Sequence, residues 1–99
     1  MTDEELLNKA RELLEVNDLA NATTLLSLAV HRGIHLIAES GYQEFGLSQR
    51  KWLDWVIDYG QNPNSSPSVD AAIGLAHHYL ENRTPDEAIV AFLETLPIA

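Results

Sequence analysis

Leu19-Ala-Asn-Ala-Thr-Thr-Leu-Leu-Ser-Leu-Ala-Val-His-Arg-Gly-Ile-His-Leu-Ile-Ala-Glu-Ser40 is the stretch whose reading decides the fold. On a helical wheel Leu25, Leu26, Ala29, Val30, Leu36 and Ile37 cover well over half of the circumference, and a helix so widely apolar belongs at the centre of a bundle. Asp18 offers an N-cap and Gly41 a stop, so a single long helix over 19–40 is expected. Gly33 falls inside that helix. Glycine costs ~1 kcal/mol relative to alanine in a helix interior, so its presence predicts close approach of another helix, or a kink.

The same punctuation recurs outward from this segment. Thr2 with Glu5 three residues on forms a capping-box pattern, and Asp3, Glu4 and Glu5 suit the positive end of a helix dipole. Leu6, Leu7, Ala10, Leu13 and Leu14 then share one face of a helix ending near Val16. On the other side, Ser48 can cap a helix from Gln49 to Tyr59 that Gly60 closes, and a loop rich in proline and short polar residues fills 60–67. Ser66 and Pro67 start a helix running to about Glu81, and Thr84-Pro85-Asp86-Glu87 starts a last one that ends before Pro97. No segment alternates as a strand would. The expected fold is therefore all-α: a single-domain antiparallel bundle of four to five helices over residues 1–99, with three helices before the 60–67 loop and a helical hairpin after it.

An internal echo supports the hairpins. Ala10-Arg-Glu-Leu-Leu-Glu followed by Ala22 and Leu26 parallels Ala76-His-His-Tyr-Leu-Glu followed by Ala88 and Phe92, at a constant offset of about 66 positions. These hairpins resemble tetratricopeptide-like ones, and the first two helices resemble those of HEPN-type bundles. Both resemblances are architectural: the middle of the chain breaks any repeat of about 34 residues, and no arginine is followed by histidine five positions on, as the HEPN nuclease motif requires.

Composition narrows the function. The chain has no cysteine, which excludes disulfides, thiol catalysis and thiolate metal sites. Six basic residues against fifteen acidic ones leave a net charge of −9. That balance repels phosphate backbones and anionic membranes and attracts basic protein surfaces. The acidic N-terminus lacks the positive leader of a secretory signal, so a cytoplasmic protein is expected.

Three groups of residues are candidates for chemistry. His31, His35 and Glu39 stand at successive four-residue steps, one turn above another on a continuous helix. Two imidazoles one turn apart can chelate zinc, but Arg32, Gly33 and Ile34 stand where a zinc protease carries its glutamate base, so a solvated or hydrogen-bonded polar stripe with Thr24 and Ser27 is the preferred reading. His77 and His78 point about 100° apart on a helix, with His78 toward water and His77 at the boundary. Trp52, Trp55, Val56 and Tyr59 share one face of the third helix, and Trp and Tyr are enriched at binding hot spots. With Arg50 and Lys51 in that helix's first turn, against the dipole preference, they make up the expected partner-binding surface.

With no phosphate loop, nucleophile elbow or clustered catalytic set in view, the sequence points to a non-enzymatic, acidic protein-binding module such as a small inhibitor, immunity-type or adaptor protein. It needs no cofactor and binds no nucleic acid directly, and its partner is a protein with a basic or mixed surface, or a second copy of itself. The alternatives are a nucleic-acid mimic whose carboxylates imitate phosphates, and a small metal-binding protein using His31, His35 and Glu39.

Overall fold

The computed structural model describes residues 2–33, 49–58 and 67–96. Among them are five helices and no strand: α1 (Asp3–Glu15), α2 (Leu19–His31), α3 (Gln49–Ile57), α4 (Pro67–Leu80) and α5 (Pro85–Leu93). The protein is an all-α helical bundle.

Helix starts follow local side-chain chemistry. The hydroxyls of Thr2 and Thr84 accept hydrogen bonds from the backbone N–H groups of Glu5 and Glu87, each at 3.2 Å, and the Asp18 carboxylate accepts from Asn21 N–H at 3.2 Å. Each satisfies an N–H that the helix itself leaves unpaired. The turn between α1 and α2 is equally local. Asn17 adopts φ 60, its N–H donates to Leu14 O at 3.0 Å, and Asp18 N–H donates to Leu13 O at 2.8 Å. That pair of bonds is a Schellman motif, so Asp18 closes α1 and opens α2 with no residue between them. Asn82, at φ 61, makes the matching left-handed turn between α4 and α5.

The central segment ends sooner than its apolar pattern predicts. Instead of running through 19–40, α2 stops at His31: Arg32 caps it and Gly33, at φ 93, takes the left-handed position that glycine tolerates best. Among the described residues a Cβ on Gly33 would meet nothing within 4 Å, so the glycine answers a backbone requirement and not a close crossing of a described helix. The two readings differ in sign. As a helix stop, Gly33→Ala is expected to lower stability by about 1–2 kcal/mol, whereas a glycine inside a helix would be improved by alanine. Urea denaturation of the variant distinguishes them.

Within its shortened length α2 is the hub. It packs against each of the other four helices, and its residues from Ala22 to Val30 are all buried. Leu6, Ala10 and Leu13 of α1, Trp52, Trp55 and Val56 of α3, Val69, Ile73 and Ala76 of α4, and Ala88, Ile89 and Phe92 of α5 close around it. The alanines of the echo, Ala10, Ala22, Ala76 and Ala88, are all at most 1% exposed, as close approach of hairpin arms requires. Antiparallel packing describes each hairpin, but α2 and α4 run in the same sense. Thr24 meets Ala72 near the middle of both helices and His31 meets His77 toward their ends, so both contacts advance along the two helices together. No helix among the described residues is long and apolar enough to cross a membrane.

Candidate functional site

The polar residues of α2 lie against α4. Thr24 and Ser27 are buried, and the Thr24 hydroxyl sits 3.0 Å from the carbonyl of Ala72 on α4 and 3.1 Å from that of Ala20 on its own helix, sharing one hydrogen between them. Ser27 donates back to Thr23 O at 2.8 Å. The stripe read as solvated or hydrogen-bonded is thus the seam between two parallel helices, hydrogen-bonded at Thr24 and Ser27 and half-buried at His31.

At the end of that seam His31 meets His77, edge to face with ring centroids 5.0 Å apart. His77 Nε2 lies 2.8 Å from the carbonyl of Val56. A carbonyl only accepts, so His77 carries hydrogen on Nε2. His31 Nε2 is buried and has no hydrogen-bond partner among the described residues. Burial first, and the neighbouring charge of His77 second, hold the His31 pKa below its ordinary value of 6.5. Arg32, next along the chain, reaches Asp86 at the start of α5 (Nε to Oδ1, 3.0 Å) and Asp3 at the start of α1 (4.0 Å), tying both helix beginnings to the end of α2.

Linkage gives this cluster a pH signature. Above pH 6.5 His31 is neutral whether the chain is folded or not; as pH falls below 6.5 the unfolded chain takes up a proton that the folded one resists, so stability drops until the folded pKa is passed. Urea midpoints are expected to fall between neutral and mildly acidic pH, and to fall less in His31→Gln.

Of the metal ladder, only His31 falls among the described residues. It is the last residue of α2, and both His35 and Glu39 lie outside the described residues. Among the described residues no group of three or more metal-ligating side chains gathers. His78 is exposed, 3.8 Å from Glu81, in line with its expected position toward water, while His77, read as lying at the boundary, meets His31. Nothing local joins residues 31 and 77; only the parallel packing of α2 and α4 does.

The structure places the two tryptophans of the expected partner-binding face of α3 in the core. Trp52 is fully buried and Trp55 is 5% exposed; their rings meet edge to face at 6.2 Å, and Trp55 Nε1 donates to Asp70 on α4 at 2.8 Å. A hot spot must reach its partner, and these indoles pack against α2 and α4 instead. Lys51 is exposed, the side chain of Arg50 is not among those described, and Tyr59 lies outside the described residues. The apolar arc of α3 is accounted for by core on one side, with Ile57 left 54% exposed on the other.

Comparison with family models, curated proteins and solved structures finds no match to this chain.

Proposed function

We propose that this protein is a non-enzymatic, acidic protein-binding module of the cytoplasm, a small inhibitor, immunity-type or adaptor protein that occupies a basic or mixed surface on another protein. The observation that carries the reading is where the charge sits. Asp3, Glu4, Glu5, Glu12 and Glu15 of α1 and Asp86, Glu87 and Glu94 of the α5 region are all exposed, on two helices that flank α2 and share Arg32 as a common counter-charge. Few of these carboxylates are needed inside the fold. Apart from Asp3 and Asp86, which pair with Arg32, and Glu12, which pairs with Lys9, they face solvent where they attract a cationic surface and speed its approach.

Immobilised protein with mass spectrometry of what it retains tests the proposal. The expected partner is basic and binds at stoichiometric amounts, with affinity falling about tenfold or more as salt rises from about 50 to about 500 mM, because exposed charges are screened over shorter distances. A partner held equally at both salt concentrations, or turnover of a small-molecule substrate, would overturn it. If the partner also binds DNA or RNA and nucleic acid displaces it, the mimic form of the same reading is the correct one.

A further inference from the structure

We propose that the cleft between the starts of α2 and α4 receives one apolar side chain from a basic segment of the partner protein; this rests on the protein-binding reading above. Because α2 and α4 run in the same sense, their N-terminal ends open side by side, and the α1–α2 turn forms the third wall. The cleft has a volume of about 310 Å3. That is at the small end of the ~300–1,000 Å3 range of ligand pockets, and it suits a single large side chain better than a whole cofactor.

Its walls are Leu19, Ala20 and Val69, with Thr23 at the base. Immediately before it stands Val16, 70% exposed, the most exposed large apolar residue among those described, and Leu19 is itself 38% exposed. The valine at a helix end and the leucine at the next helix start leave apolar surface in water. A half-open, mainly apolar recess with exposed apolar residues beside it is a form that a hot-spot anchor can use, since the anchor is desolvated in the recess while neighbours exclude water.

Charge decides what brings the anchor. Asp18 lines the cleft, Glu15 is exposed one turn before it, the last turn of α1 has no basic residue, and none of the lining residues is basic. A second copy of the chain would bring another net charge of −9 to this rim. A segment with Lys or Arg beside its anchor meets the rim with the opposite sign. Both halves of the recognition, apolar insertion and flanking cations, thus belong to one partner.

The test uses two short synthetic peptides of equal positive charge, one with a central tryptophan flanked by lysines and one with serine in its place, titrated into isotopically labelled protein and followed by amide shifts. The tryptophan peptide is expected to perturb the amides from Val16 to Ala20 and those of Thr23, Ser68 and Val69, and to bind about tenfold more tightly than the serine peptide. Ala20→Phe, which fills the cleft from an exposed helix position, and Val16→Ser, which removes the exposed apolar residue beside it, are each expected to erase that difference. Val90→Ser, at an exposed position on α5, leaves it intact; circular dichroism verifies that all three variants fold. Equal binding of the two peptides, shifts elsewhere on the surface, or no effect of Ala20→Phe would overturn the cleft while leaving the protein-binding reading standing. Binding of neither peptide at low salt would remove both.

Discussion

Trp52→Ala is expected to cost about 3–5 kcal/mol, the range for truncating a large aromatic side chain in a core. Domains of this size have only about 5–15 kcal/mol in total, so the variant is expected to be at the edge of unfolding at room temperature. The size of the effect follows from where the ring sits. Trp52 is fully buried, it packs edge to face against Trp55, and α3 touches α2 through the buried face that these residues form. Removing the indole opens a cavity in the middle of the bundle that the surrounding helices fill only in part. Trp52→Phe keeps most of the apolar volume and is expected to cost less than half as much. Urea denaturation followed by far-ultraviolet circular dichroism measures both. A loss below about 1 kcal/mol for Trp52→Ala, typical of a surface position, would put the tryptophan outside the core.

Phe92→Ala is expected to be nearly as damaging, again about 3–5 kcal/mol, and its readout says more about the bundle as a whole. Phe92 is 1% exposed on α5 and meets Tyr79 of α4 edge to face at 5.7 Å, a contact that stabilises beyond the area it buries. Both tryptophans stand on α3, so their fluorescence reports on a different part of the chain from the substitution. Since α2 packs against both α3 and α5, one cooperative transition is expected, with tryptophan fluorescence and circular dichroism moving to the same lower midpoint. A variant in which helix content falls while the tryptophan midpoint stays put would show that the α4–α5 hairpin unfolds by itself.

What could be read from the sequence was whatever is settled within a few residues. The Thr2, Asp18 and Thr84 caps, the prolines that open α4 and α5, and the apolar stripe of α1 are local arrangements of side chain and backbone, and the structure has them where the spacing placed them. Gly33 shows where local reading fails. An apolar pattern that continues past a glycine looks the same whether the helix passes through or stops there, and only the backbone angle distinguishes the two. The seam of Thr24, Ser27 and His31 was visible as a polar stripe, but the element that covers it was not, because Ala72 and His77 are about fifty residues away in sequence. The same limit applies to Trp52 and Trp55: an arc of aromatic residues has one pattern whether it faces a core or a partner, and burial by α2 and α4 decides. The cleft at Leu19 and Val69 left no trace in the sequence, since it exists only because two helices distant in the chain begin at the same end of the molecule.

The central claim is that the tryptophan face belongs to the core, which leaves recognition to the surface, and tryptophan fluorescence of the native protein tests it most directly. With Trp52 fully buried and Trp55 only 5% exposed, the account predicts blue-shifted emission that acrylamide and iodide barely quench until urea unfolds the chain. Native emission already at the solvent-exposed position, with quenching as efficient as in the unfolded chain, would contradict it and return Trp52 and Trp55 to the surface as contacts for a partner.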